Sequence, residues 1–339
     1  MIPPATTRTS PFFSIIILNW NGERWLQQCL HSVIQQTFAS YEIILADNSS
    51  TDTSLEVALG VTRNIRVASF SRNLGYTGAN NLAARMATGT WLIFLNNDTR
   101  LSPDFLKLLH QSTIDNSGAH LLVPTIKDYE GATAGEFRFG LDILGYPVQM
   151  ATGEPFWGHG CALTVRRDVF ISLGGFDDDY FIFYEEADFC WRAQITGHTV
   201  VGVPEAVVHH FGGGTVGDGS VSNGRIVTSA NRRYLSERNR LSTLLKNYNT
   251  RMLVGALVIY SVMTTAATLV LAATGQWTLV NAYLRALQWH VRHFQQTRRK
   301  RRFVQCLRTR DDLYVVKRMY LGLRELELLA HYGLPRTSG

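Results

Sequence analysis

The run Trp91-Leu92-Ile93-Phe94-Leu95-Asn96-Asn97-Asp98-Thr99 constrains this chain more than any other stretch. Five consecutive apolar residues bounded by polar groups are too few for a free-standing helix and suit a strand buried on both faces of a parallel sheet. That strand stops at a carboxylate. In open α/β sheets ligands gather at the carboxyl ends of strands, which puts Asp98 where a substrate or a metal would sit. A hard divalent cation is commonly satisfied by one or two protein carboxylates together with substrate phosphates, so Asp98 is a candidate for holding such a cation against a nucleoside diphosphate. On this segment alone a polar turn closing a strand accounts for the residues equally well.

The same pattern recurs upstream. Phe13 to Leu18 is a β-rich run ending at Asn19-Trp20-Asn21-Gly22, and helical spacing of Trp25, Leu26, Leu30 and Val33 predicts a helix from about Glu23 to Gln36. Tyr41 to Ala46 predicts a second strand that ends at Asp47-Asn48, with Ser50 or Asp52 placed to cap the helix after it. Ile65 to Phe70 predicts a third, followed by Asn73-Leu74-Gly75-Tyr76-Thr77-Gly78-Ala79-Asn80 and a helix to about Met86. Strand alternating with helix predicts an α/β, doubly wound, mainly parallel Rossmann-like sheet flanked by helices. Right-handed connections then bring Asn19, Asp47, Asn73 and Asp98 to one sheet edge, where they can converge on one ligand.

Charge is unevenly spread. The chain carries +6 overall, but residues 246–339 hold 15 Lys/Arg against 4 Asp/Glu, or +11, which leaves −5 for residues 1–245. That argues against a nucleic-acid-binding body and for a tail that meets an anionic surface. Cys29, Cys161, Cys190 and Cys306 form no CxxC pair and show no His at zinc-site spacing, so they read as reduced thiols. Residues 1–12 read as a loose leader without a long apolar core, which predicts no secretory signal and a cytoplasmic body.

Downstream, Gly158 to Arg167 reads as a glycine-bearing turn running into a strand, and Tyr180 to Arg192 carries Glu185, Glu186 and Asp188 behind an aromatic patch. Carboxylates crowded in a shielded place are costly to ionise together, and a raised pKa is what a general base near neutral pH needs. A solvated helix N-terminus would also favour acidic residues. Asp188 and Arg192, one helical turn apart, can pair. The segment Pro204 to Thr215 ends a strand in a His-Gly-rich loop, in which His209 or His210 can ligate a metal or neighbour a phosphate. That loop, to Asn223, is expected to close over bound ligand. Ser229 to Asn247 predicts a basic helix, on which Arg233 or Arg238 could steady a diphosphate.

Taken together, SIIILNWNG, YEIILADNSSTDTS, NLGYTGANN, WLIFLNNDT, FIFYEEADFCWR and HHFGGGT resemble the family 2 glycosyltransferases, particularly their rhamnosyltransferase-like members, over most of residues 13–245. The resemblance implies a GT-A fold, with a nucleotide-sugar half at 13–98 and an acceptor half at 99–245. It also implies a nucleoside diphosphate sugar donor (dTDP- or UDP-), a Mg²⁺ or Mn²⁺ cofactor, and inversion at the anomeric carbon. By matching position, Asn19, Asp47, Asn48, Asn73, Gly75, Asn80, Asn97 and Asp98 would border the donor. Asp98 and His210 would hold the metal, and Glu186 would be the base. Glu185 and Asp188 are alternatives for that last role. Trp157, Glu185, Asp188 and Arg233 are the candidate acceptor contacts, the acceptor being a saccharide or a polyprenyl-diphosphate-linked one. The family often has a second Asp where this chain has Asn96 and Asn97, and most members have Asp where it has Glu186. The QxxRW signature of processive synthases is missing, which predicts one sugar per encounter.

From Met252 to Leu284 no residue is charged, and Met252 to Ala272 is long enough to cross a bilayer. A single crossing would put Arg298-Arg299-Lys300-Arg301-Arg302 outside, against the positive-inside tendency. A hairpin of Met252–Ala273 and Trp277–Trp289 turning at Thr274-Gly275-Gln276 keeps both ends on the cytoplasmic face, within a basic helical, membrane-associating region over 246–339. Two other classes compete with a glycosyltransferase. One is a nucleotidyltransferase, which lacks a Gly-rich basic loop after the first strand here; the other is a non-catalytic membrane-bound carbohydrate-binding protein.

Overall fold

The computed structural model describes residues 10–131, 135–136, 138–212, 221–222 and 225–337. The start of the expected leader and most of the loop expected to reach Asn223 lie outside them. The first half follows the alternation in the sequence: β1 (Phe13–Asn19), α1 (Glu23–Ile34), β2 (Tyr41–Asp47), α2 (Ser54–Val61), β3 (Arg66–Ser69), α3 (Gly75–Met86) and β4 (Trp91–Asn96). Next come β5 (Thr99–Leu101), α4 (Phe105–Asp115), β6 (Leu121–Asp128), a small hairpin of β7 (Phe139–Leu141) and β8 (Pro147–Gln149), β9 (Ala162–Arg166), α5 (Arg167–Ser172), α6 (Glu185–Ile195) and β10 (Val200–His210). The C-terminal part holds short β11 (Val221–Ser222) and β12 (Arg225–Thr228), α7 (Ala230–Asn247), α8 (Thr250–Ala273), α9 (Trp277–Arg292), α10 (Phe294–Leu307), α11 (Asp312–Val316), α12 (Arg324–Tyr332) and β13 (Arg336–Thr337).

One eight-stranded sheet runs β3-β2-β1-β4-β9-β6-β10-β5. Its first four strands are mutually parallel, but β9 runs antiparallel between β4 and β6, and β5 antiparallel to β10. The sheet is therefore mixed rather than near-uniformly parallel. The register is what matters for function. Asn19 pairs with Asp47, Leu18 with Asn96, and Asp47 with Ser69, so the polar ends of β1, β2, β3 and β4 lie level.

Side chains alternate between two cores, as a period of two requires. Ile15, Ile17, Ile93 and Leu95 pack with Leu26, Leu30 and Leu109 on the face covered by α1 and α4. Ile16, Leu92 and Phe94 pack on the other face with Phe176, Phe189 and Trp191, beneath α6 and the C-terminal helices.

Those helices are bolted to the sheet domain. Lys246 of α7 is buried between Asp177 and Asp188, and Lys300 of α10 reaches the same Asp177 and Asp179. Arg301 donates to the carbonyls of Leu245 and Tyr248 at 2.6 Å. Two of the five residues in the basic run therefore serve the fold, and Arg298, Arg299 and Arg302 are exposed. The apolar segment forms a hairpin: Asn249 caps α8 through the Met252 N–H, and the chain reverses at Gly275, whose φ of +74° glycine adopts without strain. Val254, Val258, Val262 and Leu269 of α8 and Trp277, Leu284, Leu287 and Val291 of α9 are all exposed.

Candidate active site

The level strand ends are tied by side-chain amides. Asn19 Nδ2 lies 2.8 Å from Ser54 Oγ, 3.0 Å from Ser50 Oγ and 3.3 Å from Asp47 Oδ1, while its Oδ1 accepts from Asn97 Nδ2 at 2.8 Å. Asn48 repeats the device one strand over, donating to Asn73 Oδ1 at 2.9 Å and accepting the Leu74 N–H at 2.8 Å. Asn19, Asp47, Asn48, Asn80, Asn97 and Asp98 are all buried. The backbone must come close for this to work: a Cβ on Gly22 would stand 2.0 Å from Asn97 Nδ2. Gly75 has φ of +72°, and a Cβ there would meet the Phe181 carbonyl at 2.4 Å. Six of the eight residues from Asn73 to Asn80, read as bordering the donor, are thus the first turns of α3, which begins at Gly75 itself. Asp52 serves two elements, accepting the Glu23 N–H at the start of α1 at 2.9 Å and the Ser54 N–H at 3.1 Å.

Asp98 follows β4, and the pairing of β5 with β10 sets His210 opposite Thr99. His210 Nε2 comes to 3.3 Å from Asp98 Oδ1, whereas the His209 ring turns to the Asp128 carbonyl at 3.3 Å. His210 is therefore the imidazole that shares the strand ends with Asp98. The turn before β9 enters the same space. Asn96 N–H donates to the Cys161 carbonyl at 3.1 Å, and Cys161 N–H donates to His159 Nδ1 at 3.1 Å. His159, Cys161 and His210 gather so that one ligand atom from each lies within 4.8 Å of the others. All four cysteines are free, as expected, and Cys161 lies beside two imidazoles. Burial disfavours its thiolate, yet His159 and His210 outweigh that and bring it down to about 6. His210 is held at about 11, because the Cys161 sulfur and Asp98 overcome the penalty of burial.

The α6 end closes the site. Phe181, Phe183 and Tyr184, the residues leading into the helix, have φ between 64° and 73°, a conformation that costs roughly 1–3 kcal/mol for each non-glycine residue. Asn239 of α7 holds it by donating to the carbonyls of Tyr180, Ile182 and Phe183 at 2.8–3.0 Å, and Arg238 adds a bond to Tyr180 O at 2.8 Å. This fixes Glu185 and Glu186 at the helix start. Glu186 is partly exposed and sits against Gly160, where a Cβ would be 3.3 Å from its Oε1 and 3.2 Å from the Tyr76 hydroxyl. Tyr76 donates to the Gly160 carbonyl at 2.6 Å, a contact that sequence reasoning missed although Tyr76 lies inside the quoted NLGYTGANN run. A continuous path thus runs from Asp98 through His210, Cys161 and His159 to Gly160 and Glu186.

Burial and the adjacent Glu186 charge push Glu185 well above its ordinary value, and burial also raises Glu186 although His159 opposes it. Three expected acceptor contacts are engaged within the fold. Asp188 is fully buried, paired to Arg192 at 2.8 Å and to Lys246 at 3.0 Å, so it has no free face for a substrate. Arg233 pairs with Glu237 at 3.1 Å in a charge cluster completed by Arg240 and Glu325. Trp157 is buried, donating to Gly140 O at 2.9 Å with its ring stacked against His159.

A mixed sheet with a polar seam along its strand ends and a carboxylate at a helix start beside it is the frame of a GT-A glycosyltransferase. Residues 14–173 match the family described as Glycosyl transferase family 2. The chain carries a family 2 glycosyltransferase domain over that stretch. It is 26% identical over 231 residues to the N-acetylglucosaminyl-diphospho-decaprenol L-rhamnosyltransferase of Mycobacterium tuberculosis, covering 58% of this chain and 75% of that one. Among solved structures it resembles GalNAc-T7 with UDP, GalNAc and Mn²⁺, at a TM-score of 0.57 and 19% identity, over 72% of this chain and only 49% of that one. It also resembles Staphylococcus aureus TarS 1–349 with UDP, at a TM-score of 0.54 and 17% identity, over 86% and 90%.

Glu185 gives the site a pH signature. Between its ordinary value of 4.5 and its raised native value, the folded chain keeps a proton that the unfolded chain has lost, so stability falls as pH rises across that window. Glu185→Gln removes this contribution. Its melting temperature, followed upward from about pH 4, near the ordinary glutamate value, should decline less than wild type; parallel profiles would show that Glu185 is not held protonated.

Proposed function

We propose that this glycosyltransferase moves a single sugar, with rhamnose the leading candidate, from a dTDP- or UDP-sugar to a saccharide or polyprenyl-diphosphate-linked acceptor, with inversion, in cell-surface polysaccharide or glycolipid synthesis. The observation that carries the reading is the convergence of Asp98 and Glu186 on either side of the His210–Cys161–His159 group. The mycobacterial relative's name supports the sugar and the lipid-linked class of acceptor.

In this reading the seam of Asn19, Asp47, Asn48, Asn73 and Asn97 receives the nucleoside, with Gly75 letting the backbone approach and Asn80 behind it. Two buried Asn80 side-chain atoms lack partners, as a ligand-facing group would. The donor set of Asp98 and His210 fits a divalent cation, Mg²⁺ or Mn²⁺, since a carboxylate oxygen and an imidazole nitrogen 3.3 Å apart can share one ion. When bound, such an ion neutralises charge on the departing nucleoside diphosphate. Glu186 takes the proton of the acceptor hydroxyl, whose oxygen attacks the anomeric carbon opposite the leaving group. Glu185 stays protonated beside it and lessens the repulsion that a second carboxylate would bring. Much of the rate comes from holding donor and acceptor in line. Arg233 and Asp188 act on the fold around this site.

The exposed apolar face of α8 and α9 is proposed to lie in the cytoplasmic leaflet as a hairpin, with Arg298, Arg299 and Arg302 on anionic headgroups at about 1 kcal/mol each. A lipid-linked acceptor would then be met at the membrane surface.

Glu186→Gln should lower transfer by at least ~100-fold, the lower range for loss of a general base, while donor affinity measured by calorimetry stays unchanged. Retained turnover would remove Glu186 from the role. In flotation assays the wild type should rise with vesicles containing anionic phospholipid, and Val258→Glu with Val262→Glu should stay at the bottom. Equal flotation of the two proteins would place the membrane contact elsewhere.

A further inference from the structure

The side chain of Phe181 is 41% exposed, whereas Ile182, Phe183 and Tyr184 after it are half-buried. A single exposed apolar residue is ordinary on a protein surface and by itself carries nothing. The backbone beneath it is not ordinary. At φ 64° and ψ −59°, with the Ile182 N–H donating to the Tyr180 carbonyl at 2.7 Å, Phe181 is the central residue of a γ-turn of the strained hand, which is rare for a bulky side chain. Such strain persists only where the surroundings over-determine it, and it gathers at functional sites. Here the turn is held from both sides. Asn239 donates to the Tyr180 and Ile182 carbonyls on either side of Phe181, whose own carbonyl accepts the Thr77 N–H at 3.3 Å.

The ring that this turn presents lies on the start of α3. A Cβ at Gly75 would stand 2.5 Å from Phe181 Cδ2 and 2.7 Å from its Cγ. The next residue of that helix reaches the base, since the Tyr76 hydroxyl donates to the carbonyl of Gly160, against which Glu186 sits. The first turn of α3 therefore carries Phe181 on one flank and Glu186 on the other. Thr77 Oγ1, fully buried on that turn, and Glu186 Oε2 have no hydrogen-bond partner among the described residues, as groups that meet a polar ligand would.

We infer that the Phe181 ring is the platform on which the acceptor sugar lies while Glu186 takes its hydroxyl proton. An aromatic face carries negative charge density, and the C–H bonds on the flatter face of a pyranose are its weakly positive complement. Stacking of this kind leaves the hydroxyls at the sugar's rim, where a carboxylate can meet one of them. The ring opens to solvent, whereas Asn19, Asp47, Asn48 and Asn97 of the strand-end seam are buried, which sets Phe181 on the side from which an acceptor arrives. It supplies the contact that Trp157, Asp188 and Arg233, engaged within the fold, do not. Calling this sugar the acceptor rests on the reading of Glu186 as the base.

The test reads binding rather than turnover. It uses the full-length protein with dTDP and Mg²⁺ in saturation-transfer NMR, irradiating the protein's aromatic protons and observing a panel of methyl glycosides that includes N-acetylglucosamine and rhamnose. At least one glycoside should gain signal on the hydrogens of one ring face. Phe181→Ala should lose that signal and Phe181→Tyr should keep it. Phe181→Leu retains the bulk without the π face, so it guards against a variant that fails to fold; it should bind the same glycoside roughly 3–10-fold more weakly, the loss of about one aromatic pair. A wild-type protein that transfers no saturation to any glycoside overturns the inference, as does a signal that survives unchanged in Phe181→Ala and Phe181→Leu. A signal that depends on Phe181 but falls on the rhamnose of dTDP-rhamnose, and on none of the glycosides, assigns the ring to the donor and overturns it too. Each of these results leaves the transfer reading intact, because that reading is decided by Glu186→Gln.

Discussion

The side-chain amide of Asn19 is the interaction on which the rest of the molecule turns. A neutral group with two donors and an acceptor is the economical way to join three strand ends in a water-poor place, since a charge there would need a full partner. Asn19 spends its donors on the β2 side, at Asp47, Ser50 and Ser54, and its acceptor on Asn97 beyond β4. Remove the amide and each stranded neighbour costs roughly 1–3 kcal/mol. More consequentially, β1, β2 and β4 lose the bond that keeps their ends level, and Asp98 is held only one residue beyond Asn97.

A second constraint meets the first from the far side. The entry to α6 is bent through three non-glycine residues at positive φ, and α7 holds the bend with Asn239 and Arg238. Arg238 in turn lies over the Trp289 ring at 5.2 Å, and its carbonyl lies 3.0 Å from the His290 ring nitrogen, both on α9. The helical hairpin with the exposed apolar face is therefore in mechanical contact with the loop that aims Glu186. The C-terminal helices complete the site as much as the sheet does. Lys246, buried between Asp177 and Asp188, ties the two parts with charges that could not be left unpaired at less than several kcal/mol.

Much of this was legible in the sequence because the signals were local. Apolar runs closed by Asn19, Asp47 and Asp98 gave strands with level polar ends, and Met252 to Trp289 gave a hairpin down to its turn at Gly275. Illegible features depended on which way a side chain points after folding. Asp188 and Glu186 sit two residues apart on one helix, yet the first turns inward to Arg192 and Lys246 while the second stays at the cleft. Arg233, one more basic residue on a basic helix, turns out to neutralise Glu237. The antiparallel β9 could not be foreseen, since the residues of a five-residue strand carry no direction. Cys161 was discounted for want of zinc-site spacing along the chain. Its partner His210 is 49 positions away and reaches it only through the pairing of β5 with β10, although the nearer His159-Gly160-Cys161 was a signal in plain view.

The central claim is that the seam headed by Asn19 and Asp98 and the carboxylate of Glu186 border one substrate. It is tested most directly by a crystal structure of the protein grown with a nucleoside diphosphate and Mn²⁺, using anomalous scattering to place the metal. The account predicts a manganese peak in contact with Asp98 and His210, the diphosphate against it, and the terminal phosphate directed toward Glu186. A nucleotide bound away from the strand ends, or a metal peak that touches neither Asp98 nor His210, would contradict it.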